Sequence, residues 1–377
     1  MRTTVCRGSE LSDRDPASEV TLVLVFAQTD ALTDASLSAE LRRAFPRAEI
    51  CGCSSGGQIL DDDILDDDPV VAGFAFDRTT VRLATETVVA AGSTRRCGEV
   101  LGRRLAGADL AAVLVVADGL WVGGNELVEG LVDGVGPGVT IVGGLAADRE
   151  DFTHTRIVVN GEAGAGGIAA IGFYGPHFRM RTDICTGWQV FGPHRRVTRS
   201  AGNRVHELDG EPIVSLYRRY LDDEDFAGLP HTGLLFPLQI WPPDDPEKAT
   251  IRAVLDMDRA EGALIFGGDI PEGSIARLMR GTFERLVDDA GRAAHRAMEE
   301  IPAEARSRHF ALVISCIGRR LLMGSRIDDE VLSIGEVLGE MPRAGFYSLG
   351  EICRPRGSKC AGLQNESTTI AILSEEG

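Results

Sequence analysis

The chain has 377 residues, 44% of them hydrophobic and 25% charged, which supplies apolar mass for two ordinary domains and excludes a disordered chain. Its formal net charge of −18 argues against nucleic acid or an anionic membrane as a partner, because both need a clustered positive field. Met1 to Pro16 is polar and mixed in charge, and the first apolar run is too short to cross a bilayer, so a cytoplasmic protein is expected.

In chain order, Thr21-Leu-Val-Leu-Val-Phe-Ala27 is a short apolar run and predicts a buried strand. Leu37, Leu41, Ala44 and Phe45 share one face of a helix that Pro46 ends. Ala48 to Cys51 predicts a second strand, running into the turn Gly52-Cys53-Ser54-Ser55-Gly56-Gly57. Two aspartate runs follow, Asp61 to Asp63 and Asp66 to Asp68, and predict a solvated loop. Val70 to Phe76 is a third strand.

The same order returns. Ala111 to Ala117 predicts a strand, and Leu127, Val128, Leu131, Val132 and Val135 mark a helix with Asn125 as its N-cap. Val139 to Val142 then runs into Gly143-Gly144, Asn160-Gly161 signals a hairpin, and Gly172-Phe173 corresponds to Gly73-Phe74. Residues 277–300 predict a further helix. A third copy closes the chain: a strand over Phe310 to Ser315, a helix through Val331, Ile334 and Leu338, a strand-to-loop at Gly345 to Gly350, and a strand over Thr368 to Leu373. The expected fold class is α/β, two domains with mixed sheets built from repeated β-α-β-β units. The junction is placed near Gly202 to Asp209, giving domains over residues 20–205 and 206–377.

Gly52-Cys53-Ser54-Ser55-Gly56 fits the G-x-S-x-G pattern of a hydrolase nucleophile elbow. An elbow needs a helix after the serine to help an oxyanion, and an aspartate-rich segment with a proline follows instead. The alternatives are a turn whose backbone N–H groups face a pocket, or a plain structural turn. Asp118-Gly119 sits at the carboxyl end of a strand, where open α/β sheets bind ligands, although an ordinary turn fits equally well. The eight cysteines form no disulfide framework and no zinc-finger spacing, so reduced thiols and no structural metal are expected. His177 and His194 each follow Gly-Pro and are expected in turns.

Several segments, in order, resemble the FIST family, a pair of N-terminal and C-terminal sensory domains found in bacterial signalling proteins. They are Gly52-Cys53-Ser54 with Gly57, Val142-Gly-Gly-Leu-Ala-Ala-Asp148, Gly187-Trp188, Gly202-Asn-Arg-Val205 and Glu207-Leu-Asp-Gly-Glu-Pro212. Phe266-Gly-Gly-Asp269 with Pro271-Glu-Gly273, Ser315-Cys316 with Arg319, Gly345-Phe-Tyr347 with Gly350-Glu351, and Leu363-Gln-Asn365 continue the series. The resemblance spans Val20 to Glu375. It implies a sensor of small ligands, amino acids being one suggested class; no covalent chemistry and no bound cofactor are expected here. Output would pass to a separate partner such as a histidine kinase.

The expected binding site gathers the repeated turns: Gly52, Cys53, Ser54, Ser55 and Gly56; Asp118 and Gly119; Gly143, Gly144 and Asp148; and Arg319, Tyr347, Gly350 and Glu351. Backbone N–H groups would hold an acid, Asp118 and Glu351 an amine, Arg319 a ligand carboxylate, and Tyr347 an apolar wall. The rival readings are a haem-based gas sensor using His177 or His194, which the resemblance implies for some members, a hydrolase using Ser54 or Cys53, and a purely structural interaction protein.

Overall fold

A computed structural model describes residues 1–90, 92–149, 151–229, 231–299, 301–354 and 361–376. The fold is α/β with mixed sheets, and three copies of one unit carry it. The first unit comprises β1 (Arg2–Arg7), β2 (Leu22–Ala27), α1 (Ala35–Ala44), β3 (Glu49–Ser54), the hairpin β4 (Gln58–Leu60) and β5 (Asp63–Leu65), and β6 (Val70–Ala75). The second comprises β7 (Thr80–Thr87), α2 (Thr94–Leu105), β8 (Leu110–Ala117), α3 (Gly124–Val135), β9 (Thr140–Leu145), the hairpin β10 (Ile157–Val159) and β11 (Glu162–Gly164), and β12 (Gly167–Tyr174). The third begins with β13 (Phe178–Cys185) and resumes after a long insert. It continues with α4 (Phe283–Ala297), β14 (Phe310–Cys316), α5 (Ile317–Met323), α6 (Ile327–Leu338) and β15 (Arg343–Ser348). The hairpin β16 (Gly350–Cys353) and β17 (Gly362–Gln364), then β18 (Thr368–Glu375), complete it.

Each unit has one parallel pair, β2 with β3, β8 with β9, and β14 with β15, flanked by the antiparallel closing strand. The other edge of each parallel pair is covered by a hairpin from a different unit. The first unit's hairpin joins the third sheet, the second's joins the first, and the third's joins the second. Three six-stranded sheets with one strand order result, linked in a cycle.

The unbroken apolar runs are explained by burial on both faces. Along β2, Leu22, Leu24 and Phe26 enter the central core shared by the three sheets, while Val23, Val25 and Ala27 face α1. Leu114 and Val116 face inward and Val113 and Val115 outward toward α2 and α3; Leu312 and Ile314 face inward and Val313 toward α4 and α6. Aromatic pairs join the units at the centre: Phe26 stacks on Phe346 with ring centroids 4.6 Å apart, and Phe173 stacks on Phe178 at 4.5 Å.

One register position recurs in all three parallel pairs. Val25 lies opposite Gly52, Val115 opposite Gly143, and Val313 opposite Gly345. In each case a methyl built on the glycine would overlap the valine carbonyl oxygen. The glycines read from the sequence as turn residues are therefore strand residues at a close backbone approach.

Between β13 and α4, a nine-stranded sheet runs from Gln189–Val190 to Ile275–Arg280 around its own core of Tyr217, Phe236 and Phe266 with neighbouring aliphatic residues. No pattern in the sequence marks this sheet. Its last strand, Ile275–Arg280, occupies the start of the helix expected over residues 277–300, which begins only at Phe283. Residue 205 lies in the hairpin Arg195–Ala201 and Arg204–Leu208 within the insert, while pairing of β13 with β18 joins its two flanks. The Asn160-Gly161 turn has both residues at positive φ, 53° and 96°, as a two-residue hairpin requires. Asn125 lies inside α3 and caps nothing, its Oδ1 instead accepting from Arg252 Nη2 at 3.3 Å.

Replacing Gly345 by alanine forces a methyl against the Val313 carbonyl inside the sheet and should cost about 1–3 kcal/mol. Gly138→Ala, in open space, should fall within about 0.5 kcal/mol of the parent. Urea unfolding of both variants makes the comparison.

Candidate functional site

The common register shows where the units differ. Val71, Ala170 and Ile370 lie opposite Val25, Val115 and Val313 on the closing strands. Counting back equally from each places Asp67, Gly166 and Glu366 at one equivalent position, where the exchanged hairpin returns to its own unit. Counting forward from the valines likewise places Gln28, Asp118 and Cys316 together at the end of the first strand.

The first two units satisfy this position internally. In the first, Gln28 Nε2 donates to Asp67 Oδ1 at 2.9 Å and Arg149 Nη2 does so at 2.8 Å. The neighbouring Asp66 receives both bonds of Arg320 Nη2, at 2.8 and 3.0 Å. In the second, Asp118 Oδ2 accepts the Gly166 N–H at 2.8 Å.

The third unit leaves the position unpaired. Cys316 offers only a thiol there, and among the described residues the fully buried Glu366 carboxyl has no hydrogen-bond partner on either oxygen. Asn365 Oδ1 is likewise buried without a donor. The backbone is nonetheless firmly held: Glu366 sits at φ 54°, and its carbonyl accepts from Trp188 Nε1 at 2.9 Å. Gly318 leaves the carboxylate room, since a Cβ there would lie 2.8 Å from Oε1. Arg319 is near but committed, pairing with Glu330 at 2.5 Å and donating to the carbonyls of Thr186 and Leu286.

Asn365 and Glu366 line a cavity of about 1050 Å³. Its walls come from the loop after β8 (Gly119 to Gly123), the start of α5, the insert (Leu234, Ala253 and residues 266–269) and the returning hairpin. The lining is mainly apolar, and Trp121, 65% exposed, and Phe152, 43% exposed, belong to it. A second cavity of about 500 Å³ lies at the equivalent junction of the first and third units, where Arg149, Arg320, Asp66 and Asp67 occupy the wall.

Burial pushes the Glu366 carboxyl up to about 8, and the nearby Arg319 only partly opposes this. Glu351 is also pushed up to about 8 by burial, against hydrogen bonds from Ser348 and Ser367. The folded state thus favours the neutral acids: their stability contribution is complete below the unfolded value of 4.5 and is lost as pH rises through about 8. The melting temperature should decline between pH 5 and pH 8.5, and Glu366→Gln should remove part of that decline.

Of the residues expected in the site, Gly119 lines the large cavity and Gly56 the smaller one. Gly52, Cys53 and Ser54 lie in β3, Gly143 and Gly144 in β9, and Gly350 and Glu351 in β16, all buried. Asp118 is saturated, Oδ1 accepting from Leu120 N, Trp121 N and Thr155 Oγ1. Asp148 Oδ2 holds the N–H groups of Thr153 and His154, both at 2.6 Å. The buried Ser55 Oγ accepts from Gln58 Nε2, and Tyr347 is enclosed against α5 and α6.

The geometry also bears on the rival chemistries. Ser54 Oγ accepts the Arg156 N–H at 2.9 Å, and β4 follows it where an elbow would have a helix. Burial pushes the Cys51 thiol up to about 12 and Cys53 well above its ordinary value. The described cysteines are all buried and unbridged. His177 Nδ1 lies 2.8 Å from the Glu376 carbonyl, and His194 packs edge-on to Trp241. Among the described residues lining the large cavity there is no histidine or methionine, and the one cysteine, Cys316, has its thiol pushed well up by burial. These residues do not fit haem.

The sequence patterns of two families match the chain, the FIST N domain over residues 21–211 and the FIST C domain over residues 214–354. The chain belongs to the FIST family. FIST domains are known as sensory domains in signal transduction, which suggests a sensing role. Among similar proteins, the uncharacterized Mycobacterium tuberculosis H37Rv protein Rv0628c is 25% identical over 350 residues, 91% of this chain and 88% of its own length. The uncharacterized protein MJ1623 of Methanocaldococcus jannaschii is 25% identical over 317 residues, 76% of this chain and 57% of that protein. No helix among the described residues of this FIST protein is long and apolar enough to cross a membrane.

Asp118→Ala would leave the part-buried N–H groups of Leu120 and Trp121 and the buried N–H of Gly166 without their acceptor, and should lower unfolding free energy by on the order of 3 kcal/mol. Denaturant titration measures the loss. Iodoacetamide should modify Cys53 only after unfolding, which peptide mapping detects.

Proposed function

We propose that this protein is a small-ligand-binding sensor in intracellular signal transduction, and that its ligand occupies the large cavity between the second unit, the third unit and the insert. One observation carries the reading: among the described residues two buried acceptors, Glu366 and Asn365 Oδ1, stand unpartnered beside a cavity, at a position that protein side chains or backbone satisfy in the first two units. Buried polar groups are nearly always hydrogen-bonded, so an orphaned pair next to open space calls for donors from outside. The volume suits a drug-sized organic molecule, and the apolar walls would supply most of its burial. Gly119 is the residue this site shares with the one expected from sequence.

The ligand would touch both the insert and the three-unit body, so binding would favour one arrangement of the two over others. A separate signalling protein, such as a histidine kinase, would read that arrangement. Amino acids are one candidate class of ligand.

A thermal-shift screen of the purified chain against amino acids, amines, nucleotides, organic acids and haemin tests the reading, because a ligand held only by the folded state raises the melting temperature by mass action. A dose-dependent rise is expected for one chemical class. Trp121→Ala should weaken the same ligand about tenfold, the loss of one exposed aromatic wall, with little change in the unliganded melting temperature. A response to no compound, or an unchanged affinity in that variant, would contradict this placement.

A further inference from the structure

We infer that the ligand is an organic cation with an apolar body, its ammonium group taking the place that arginine side chains fill at the equivalent junction of the first unit. The inference rests on the sensor reading above and specifies the chemistry of that same site.

Where the first unit's hairpin returns, Asp66 and Asp67 sit beside a cavity and are neutralised by Arg320 and Arg149. Where the third unit's hairpin returns, Asn365 and Glu366 hold the same positions, and no guanidinium reaches them among the described residues. Counting from the paired valines puts Val122 where the third unit has Arg320, and Val122 lines the large cavity. An aliphatic residue thus stands where the other junction supplies a cation.

The orphaned atoms fix the ligand's polarity. With Glu366 ionised, its two oxygens and the Asn365 amide oxygen are all acceptors, so the group they then receive is a donor, and an ammonium brings up to three N–H bonds. Once Glu366 is ionised, a carboxylate or phosphate would meet it with like charge. Arg319, the cation that acts on Glu366 among the described residues, is closed off by Glu330 and two carbonyls. Arg252, buried beside the cavity, spends its donors on the carbonyls of Ile251 and Leu363 and on Asn125 Oδ1. The remaining wall is apolar, and the exposed ring of Trp121 offers a further surface for a cation or an aryl group. The net charge of −18 would draw cations toward the molecule.

Binding should also depend on pH. The groups around Glu366 are Arg319 from α5, Glu351 from β16 and Cys316 from β14, with Glu126 and Asp269 on other parts of the cavity wall. Burial keeps Glu366 protonated until about pH 8, so an ammonium must displace that proton, and affinity should rise about tenfold per pH unit from pH 6 to pH 8.

The test is calorimetric titration of the full chain with 2-phenylethylamine, with 2-phenylethanol and phenylacetate as neutral and anionic counterparts. The expected result is binding of the amine alone, tighter at pH 8 than at pH 6.5, with proton release visible in buffers of different ionisation enthalpy. Glu366→Gln should weaken the amine at least tenfold at pH 8 and keep the parent's circular dichroism. Equal binding of the alcohol or the acid, undiminished amine binding by the Gln variant, or no amine binding at 10 mM would each overturn the inference. The sensor reading would survive any of these if another class in the broader screen stabilised the protein, and would fail only if none did.

Discussion

The interaction on which the rest of the structure depends is the hydrogen bonding of an exchanged hairpin to the exposed edge of another unit's parallel strand pair. A parallel pair leaves a row of N–H and C=O groups that would otherwise face solvent or a neighbouring molecule. Here β4, β10 and β16 each cover such an edge in a different unit, and the three exchanges close a cycle. No unit can complete its sheet alone, so the three fold as one body around a common aromatic core. The glycine opposite each paired valine lets the parallel strands approach closely at the same level in all three.

A cycle of near-equivalent units makes their differences interpretable. The hairpin must re-enter its own unit beside the end of the first strand, which brings polar side chains into a crowded junction three times. Gln28 with two arginines resolves the first, and Asp118 with a glycine amide the second. The third has a cysteine and an unpaired glutamate, and there the junction opens into a large cavity against the insert. Fully burying an unpaired carboxyl opposes folding, and its retention next to open space is what the proposed ligand accounts for.

Much of the fold was legible in the sequence because local signals and burial agree. The central strands β2, β3, β6, β8, β9, β14 and β18, the helices α1, α3 and α6 and the Asn160-Gly161 turn follow from apolar runs, spacing and turn chemistry, whereas β1, β7, β13, α2 and α5 carry no such signal. The aspartate-rich segment was not legible: residues 58–65 form a hairpin because β4 finds a partner in β15, and Arg343 and Arg320 pair with Asp62 and Asp66 from far along the chain. The insert escaped because its strands are short and interrupted by Pro, Gly and acidic turns. The expected site residues were the conspicuous glycines and polar turn residues, and most of those polar groups prove to be consumed by internal hydrogen bonds. Glu366 gave no signal of its own, since an orphan is recognised only against equivalents that have partners. The Leu363-Gln-Asn365 run, read only as a mark of family, lies immediately beside it.

The most direct measurement of the central claim is a crystal structure of the protein grown at pH 8 in the presence of 2-phenylethylamine. The account predicts its nitrogen about 3 Å from Glu366 and Asn365 Oδ1, with its ring against the apolar wall near Trp121. A Glu366 carboxylate found paired with a protein side chain, or an amine bound only beside Arg149 and Arg320, would contradict it.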